Sequence, residues 1–227
     1  MIAAVHESAR HCGPAGCDAA TARRWWLDNE DVFCYLAPDG FLAYGWHGSR
    51  RDIFVRQAVA GSAETTRALW SVVSSHVAQA ERVRAVVTPD DPLGWLTREP
   101  DGVVERERWM LRIVDAAAAI AGRGFPATAE LAVPLHLDDA TRPGHAGRWT
   151  LEVGGGQGSL HPAVTHPPAP EPPAGPLRLG ARGFAALYAG IPLATLRRAG
   201  LAAGGDASAD DALDSAFAGQ AFMLDDF

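Results

Sequence analysis

The pattern that most constrains this chain is a long helical stripe set between two extended segments. The stripe runs from Ser62 to about Ala80, and the residues at helical spacing are Thr66, Leu69, Trp70, Val73 and Val77. Extended runs precede and follow it at 52–59 and 83–87, and a predicted hairpin at 32–46 comes earlier. These elements predict a small α/β unit over residues 1–113.

The second half of the chain has a different pattern, in which an alanine-rich helix is followed by strands. The helix is predicted over Ala116–Ala121 and closes at Arg123 and Gly124. Extended segments follow at 128–137, 147–154, 157–164 and 177–179. Gly154-Gly155-Gly156 separates two of them and supplies the positive φ that a tight hairpin needs. Three short helices are predicted after the last strand, so we expect an α+β domain over residues 114–227.

Composition excludes several classes of protein. Hydrophobic residues make up 48% of the 227 residues, and all 20 residues of the Lys+Arg count are arginine. A chain without lysine has neither Schiff-base lysine chemistry nor a P-loop lysine. The net charge of −7 argues against a nucleic-acid partner, because phosphate neutralisation needs a basic face. Neither an 18-residue apolar run nor a signal pattern is present, so we expect a cytoplasmic protein without membrane insertion.

Histidine and cysteine offer few candidate sites. The one cluster of possible metal ligands comprises His6, His11, Cys12 and Cys17. No second pair completes a zinc site at the usual spacing, so we expect no metal. His136 and Asp138 lie two residues apart on one face of a predicted strand, where they could form an oriented imidazole–carboxylate pair.

The residues before the long helix do not form a phosphate-binding loop. Acetyltransferases open such a helix with an Arg/Gln-x-x-Gly-x-Gly/Ala stretch, whereas this chain has Val59-Ala60-Gly61-Ser62 with a single glycine. The glycines at 154–158 are followed by no helix and are better explained as a hairpin turn. We therefore predict no cofactor site in this chain.

The last sixteen residues, 212–227, are unusual for a C-terminus. Most C-termini are polar and frayed, but this one ends on Phe227 after the apolar residues Phe222, Met223 and Leu224. Docking of these residues into a groove would carry the terminal α-carboxylate into a sheltered site. There the carboxylate could serve as a base whose pKa depends on its surroundings.

Segments spread over essentially the whole chain resemble the enhanced intracellular survival family, which are bacterial acetyltransferases of aminoglycosides and other amines. The segments are TARRWWL (21–27), DGFLAY (39–44), DPLGWL (91–96), WMLRIVDA (109–116), GRWTLEV (147–153), LGARGFAALYAG (179–190), LRRAG (196–200) and FMLDDF (222–227). That family has an acetyltransferase domain that binds acetyl-CoA, a central domain that repeats the fold without a cofactor site, and a domain like a sterol carrier protein.

The resemblance implies that this chain corresponds to the C-terminal two-thirds of the family. Residues 1–113 would be a GNAT-like mixed sheet with helices and without an acetyl-CoA motif, and residues 114–227 a sterol-carrier-protein-like α+β domain with a docked tail. It further implies that the carboxylate of Phe227 is the general base of an active site in the missing domain. We predict as substrate-binding residues two adjacent tryptophans and three tail residues: Trp25, Trp26, Phe222, Asp225 and Asp226.

Three functions stay open at this point. The first is acetyl transfer to a small amine or natural product together with a separate acetyltransferase domain, which alone would supply the acetyl-CoA site. The second is a repurposed biosynthetic enzyme or small-molecule binder that uses the groove between its domains without acetyl-CoA. The third is a carrier of an apolar, sterol-like or lipid-like ligand. Because the missing domain would leave an apolar surface, we also expect a homo-oligomer.

Overall fold

The chain divides into two compact units, the first ending at Val104 and the second beginning at Glu105. The structure is a computed structural model, and it describes residues 20, 23–48, 51–89, 91–96, 102–107, 109–163 and 175–219. Each unit has a sheet of mixed strand direction with helices, which confirms the mixed α/β fold predicted from the sequence. Within the described residues, none of the helices is long and apolar enough to cross a membrane.

The first unit is built on a four-stranded sheet. Its strands and helices are β1 (Val32–Ala37), β2 (Gly40–His47), β3 (Asp52–Ala60), α1 (Ala63–Ser74), β4 (Arg82–Ala85) and the short α2 (Leu93–Leu96). The strand order is β1-β2-β3-β4, with β1, β2 and β3 antiparallel and β4 parallel to β3. Helix α1 makes the crossover between the two parallel strands, as such a connection requires.

Helix α1 packs one face on this sheet but ends earlier than the sequence predicts. Leu69 and Val73 are buried in a cluster with strand residues such as Ile53, whereas Val77 is 81% exposed. The helix ends at Ser74 because serine hydroxyls take carbonyls near its end: Ser75 Oγ donates to Val72 O at 2.7 Å. Such local bonds offer the backbone an alternative to continuing the helix.

The second unit is built on a five-stranded sheet. Its elements are α3 (Ala116–Arg123), β5 (Leu131–Asp138), β6 (Gly147–Gly154), β7 (Gln157–Pro162), β8 (Leu177–Gly180), α4 (Ala181–Tyr188), α5 (Leu193–Arg198), β9 (Ala202–Ala203) and α6 (Asp210–Ala216). The strand order is β7-β6-β5-β8-β9, and only β5 and β8 run parallel. The β6–β7 hairpin turns on Gly155 and Gly156, which both have positive φ as the sequence predicts.

One face of this second sheet is the core of the unit. Alternate strand residues such as Leu135, Leu151 and Leu177 are at most 1% exposed and belong to one cluster with the helices. The residues between them are polar or small and are more exposed. A sheet with period-two burial has one face against helices and one face toward solvent, so the unit presents a polar sheet face outward.

Candidate functional site

The residues that the sequence predicts for catalysis, substrate binding or metal binding lie almost entirely outside the described part of the chain. Phe222, Asp225, Asp226 and Phe227 lie beyond residue 219, and the possible metal ligands at 6–17 lie before residue 20. Trp25 and Trp26 belong to a short helical turn, Arg23–Leu27, whose backbone is described but whose two tryptophan side chains are not. The roles of these residues stay predictions. Among the described residues, no group of three or more potential ligands is placed to hold a metal ion.

The structure does describe the point from which the C-terminal segment leaves the second unit. Helix α6 ends at Ala216, and Phe217 follows it as the capping residue with 1% of its surface exposed. The next residues pass close to the turn after α4. Gly219 O lies so near Gly190 that a Cβ added to Gly190 would be 2.3 Å from it. Gly190 has φ +83° and leaves room for this close approach. The backbone thus passes close to the turn after α4 as far as Gly219.

Arg123, the last residue of α3, binds the chain at the end of α6 and belongs to the same unit. Its guanidinium carbon lies 5.3, 5.5 and 5.0 Å from the ring centroids of Phe125, Tyr188 and Phe217. Its Nε donates to Tyr188 O at 3.2 Å and its Nη2 donates to Phe217 O at 3.0 Å. We call Arg123 with these three rings the arginine clasp.

The arginine clasp provides hydrogen bonds to backbone carbonyls at the ends of two helices. Tyr188 is the last residue of α4 and Phe217 caps α6, so the carbonyls that Arg123 binds are among those that a helix leaves without an internal partner. A permanently charged guanidinium is favoured there by the negative end of the helix dipole and by the faces of the rings. Phe227 lies ten residues beyond Phe217, and an extended chain of that length reaches at most ~35 Å.

The start of α1 is the place in the first unit where a phosphate group could meet backbone N–H groups. Side chains of this chain form hydrogen bonds there. Ser62 caps the helix by accepting from Thr65 N at 3.2 Å, and the carboxylate of Asp39, from the β1–β2 turn, accepts the hydroxyl of Thr65. Asp39 O also accepts from Gly61 N at 2.8 Å. Hydrogen bonds from Thr65 and then Ser62 lower the pKa of Asp39, which keeps it ionised.

The absence of a coenzyme A site at the start of α1 stays a prediction from the sequence. The structure adds a contact that the sequence does not show: the carboxylate of Asp39, 26 residues away from Thr65, accepts the hydroxyl of Thr65. The one glycine before Ser62 donates its N–H to Asp39 O.

We expect Asp39→Asn to lower the thermal midpoint of unfolding, because an amide oxygen is a weaker acceptor than a carboxylate and adds no charge at the helix start. Acetyl-CoA should still not bind to the variant, since the loop lacks the backbone donors of a phosphate site. Differential scanning calorimetry measures the first effect and isothermal titration the second. Glu64→Gln, an exposed acid in the first turn of α1, is the matched control. Equal shifts for the two variants would contradict a specific role for Asp39.

An aromatic cluster on the α1 side of the first sheet was not predicted from the sequence. Tyr44 Oη lies 2.8 Å from His76 Nε2, and the ring of Tyr44 stacks at 5.5 Å on Phe33 and at 6.1 Å on Tyr35. Burial first, and then the proximity of Tyr35, raise the pKa of Tyr44 to about 12. A phenol with that pKa stays protonated at neutral pH, so Tyr44 serves as a buried hydrogen-bonding group and not as a base.

A second polar cluster in the second unit is centred on Asp139. Arg112 Nη2 lies 2.7 Å from each carboxylate oxygen, and the backbone N–H groups of Thr141 and Arg142 donate to Oδ1. The hydrogen bond from Arg112 is the main reason why the pKa of Asp139 is lowered to about 2. These contacts tie the segment before α3 to the β5–β6 loop, so the cluster has a structural function.

The pKa of Asp139 predicts a loss of stability in acid. A lowered folded-state pKa means that the contribution is present above the ordinary carboxyl pKa near ~4 and is lost as the pH falls toward about 2. We expect Asp139→Asn to be less stable than the wild type at pH 7 and to lose less stability between pH 4 and pH 2. Urea unfolding at a series of pH values measures this. Asp138→Asn, the adjacent and more exposed carboxylate, should keep the wild-type slope; an unchanged slope for Asp139→Asn would be the contrary result.

The described part of the second unit contains a small pocket beside Asp139. Apolar side chains such as Leu137, Leu179 and Phe184 line it together with His145, and its volume of about 10 Å³ is close to that needed for one water molecule. Ligand pockets for drug-sized molecules are usually larger, at roughly 300–1,000 Å³. This pocket is thus too small for a sterol-like ligand, and the apolar-carrier hypothesis stays a prediction.

Two protein families match successive parts of the chain. Residues 20–113 match the acetyltransferase (GNAT) domain family, and residues 116–224 match the sterol carrier protein domain family. No curated protein sequence matches the chain.

Solved structures resemble most or all of the chain. A GCN5-related N-acetyltransferase from Kribbella flavida is 43% identical with a TM-score of 0.86, over 99% of this chain and 55% of its own. A GCN5-related N-acetyltransferase from Anabaena variabilis has 23% identity and a TM-score of 0.74, over 88% and 52%. Eis1 from Mycobacterium abscessus has 24% identity and a TM-score of 0.73, over 100% and 59%. The similarity to the last two structures, at 23% and 24% identity, is a similarity of fold alone. The chain thus spans between 52% and 59% of the length of these structures.

Proposed function

We propose, from the premise that this chain joins a GNAT-type acetyltransferase domain to a sterol carrier protein domain, that it is part of an N-acetyltransferase of the enhanced-intracellular-survival type. In this proposal the chain helps to bind a small amine and supplies the general base. A further acetyltransferase domain, in the same protein or a separate one, binds acetyl-CoA. The observation that carries the proposal is the 43% identity to the Kribbella flavida GCN5-related N-acetyltransferase over 99% of the chain.

The start of α1 supports the assignment of acetyl-CoA binding to a further domain. Residues 20–113 match a domain family named for acetyl transfer, yet α1 is preceded by a single glycine, and a side chain in its first turn, Thr65, is bound to the carboxylate of Asp39. A domain of this kind can contribute walls and contacts to an active site without holding the acetyl donor. In this proposal the acetyl donor is bound outside residues 20–113.

The arginine clasp supports a catalytic tail. A terminal carboxylate can act as a base only if the segment that carries it leaves the domain from a fixed point, because proton transfer needs hydrogen-bond distance to the reacting amine. Arg123 binds the carbonyl of Phe217, and the backbone passes close to Gly190 at Gly219, which leaves eight residues to deliver the carboxylate of Phe227. The proposed role of that carboxylate is to remove the proton from the amine as it attacks.

A chimera tests the proposal. The matched 55% of the Kribbella flavida protein is replaced by this chain, and acetyl-CoA-dependent acetylation of a panel of small amines is followed by release of coenzyme A. We expect the chimera to acetylate amines and the isolated chain neither to acetylate them nor to bind acetyl-CoA by titration calorimetry. The proposal is wrong if the chimera is folded by circular dichroism but inactive with every amine that the intact relative acetylates, or if the isolated chain binds acetyl-CoA.

A further inference from the structure

The first sheet has an open edge at β1. This strand lies at one end of the order β1-β2-β3-β4, and within the described residues no strand pairs with its outer side. Alternate residues of an antiparallel edge strand direct their backbone N–H and C=O groups away from the neighbouring strand. Val32 N, at the start of β1, donates to Asn29 O, so the row of backbone groups that could pair with a further strand begins after Val32.

Among the edge strands that the structure describes, β1 is the one without a feature that opposes pairing. Short length, charged side chains and proline keep the exposed edges of sheets from pairing. The other edge of the first sheet, β4, is four residues long and contains Arg82 and Arg84. In the second sheet, β9 is two residues long and β7 ends on Pro162. β1 has six residues, VFCYLA, with neither a charged residue nor a proline.

The side chains of β1 are apolar and partly exposed on both faces of the sheet. Phe33 and Tyr35 stack on Tyr44, on the face that packs against α1, and they are 45% and 43% exposed. Leu36 lies on the opposite face, because side chains alternate along a strand, and it is 53% exposed. Removing apolar surface from water is favourable, so a partner that covers this edge gains free energy of association.

Exposed apolar side chains are concentrated in the first unit. Of the described large apolar residues that are exposed, those of the second unit are Met110, Val114 and Ile191, and all the others belong to the first unit. Contiguous exposed apolar surface marks an interaction site. The first unit is therefore the one that a protein partner would cover, and β1 combines such side chains with an open row of backbone groups.

The length of a relative indicates the kind of partner. The Kribbella flavida protein matches 99% of this chain with 55% of its own, so nearly half of that protein lies outside the match. This remainder is long enough for the further acetyltransferase domain of the proposed function. A domain of that type has edge strands to offer, since the first unit, which matches the acetyltransferase (GNAT) family, has a sheet that is open at its two ends within the described residues.

We propose that an edge strand of the further acetyltransferase domain pairs with β1, and that apolar side chains of the same domain cover Phe33, Tyr35 and Leu36. The inference rests on the proposed function, from which it takes the existence of this domain. In strand addition of this kind, main-chain hydrogen bonds give affinity and the side chains that alternate along the strand give specificity. The first unit and the further domain then share one continuous sheet.

The accessibility of a new thiol on β1 tests the proposal. Tyr35→Cys is made in the isolated chain and in the chimera with the remainder of the Kribbella flavida protein, and its alkylation by N-ethylmaleimide is followed by peptide mass spectrometry. Val83→Cys is the matched control, because Val83 is 49% exposed on β4, the opposite edge of the same sheet. We expect alkylation of Tyr35→Cys to be at least tenfold slower in the chimera than in the isolated chain, and that of Val83→Cys to stay within twofold.

Hydrogen exchange separates strand pairing from looser cover. The amides of β1 that point away from β2 should exchange at least tenfold more slowly in the chimera than in the isolated chain. The matching strand of the intact Kribbella flavida protein should be equally protected, which keeps the proposal testable if the chimera does not fold. Fast exchange at that strand would overturn the proposal, as would equal alkylation of Tyr35→Cys in chain and chimera.

Two further outcomes distinguish other occupants and the proposed function. Slow alkylation of Tyr35→Cys in the isolated chain would overturn the proposal, since β1 would then be covered by the chain itself or, if the protection grows with protein concentration, by a second copy. An active chimera with an unprotected β1 would exclude pairing at this edge and leave acetyl transfer intact. A protected β1 in a folded but inactive chimera would support the pairing and contradict the proposed function.

Discussion

Deletion of Phe227 from the active chimera is expected to lower kcat/KM for amine acetylation by about 10²–10⁴-fold, the range that a positioned general base contributes. The deletion moves the terminal carboxylate back by one residue and leaves the rest of the chain unchanged. KM for acetyl-CoA should not change, because the proposal gives this chain no contact with that cofactor.

Phe227→Leu is the matched control for this deletion. Leucine keeps the terminal carboxylate at its position and keeps an apolar side chain, so we expect it to retain activity within a fewfold of the parent chimera. The decisive measurement is the pH dependence of kcat/KM, in which the limb of the catalytic base should disappear in the deletion and persist in Phe227→Leu. A deletion variant with the parent's rate and pH profile would remove Phe227 from the mechanism while leaving family membership untouched.

Arg123→Met is expected to lower the free energy of unfolding by about 2–4 kcal/mol. The variant loses two charge-assisted hydrogen bonds to carbonyls at helix ends and the contact of a cation with three rings, and each such loss amounts to roughly 1–3 kcal/mol. Arg123→Lys keeps the charge but not the fork of donors, so its loss should be intermediate. Urea unfolding with an unchanged m-value measures the effect.

Arg198→Met supplies the control for the arginine clasp, because Arg198 is exposed at the end of α5. Its effect should stay within about 0.5 kcal/mol of zero, as is usual for surface substitutions. In the chimera, Arg123→Met should also reduce acetylation at temperatures where the protein is still folded, since the tail would leave the domain from a looser point. If Arg123→Met had the stability of the wild type, the guanidinium would not contribute to stability through its contacts with the three rings and the two carbonyls.

Local pattern predicts most of the strands and some of the pairs in this protein. The alternation of buried and exposed residues gives β5, β6 and β7 within a few positions, and the glycines at 155 and 156 mark their hairpin. His136 and Asp138 were predicted as a pair because a separation of two residues on a strand fixes a common face. The alternation of side chains at 103–114, with Trp109, Leu111 and Ile113 on one face, also predicts a strand, but the described residues of that range form neither helix nor strand.

Contacts between residues that are far apart in the sequence determine the features that local pattern does not predict. The bond from Arg123 to Phe217 O joins residues 94 positions apart, and the open edge at β1 depends on the order of the strands in the first sheet. Periodicity gives the face on which a side chain lies but not which strand will be its neighbour or at what offset. The end of α1 at Ser74 likewise depends on serine hydroxyls that compete with the helix, an effect that spacing of apolar residues does not include.

The carboxylate at the start of α1 has a thermodynamic consequence for the first unit. A domain whose helix terminus is completed by a bound nucleotide gains stability in proportion to ligand concentration, and its melting temperature rises as the ligand is added. Here Asp39, which accepts the hydroxyl of Thr65, is covalently part of the chain. The proposed function gives this unit no nucleotide to bind, so its melting temperature should stay constant as acetyl-CoA is added.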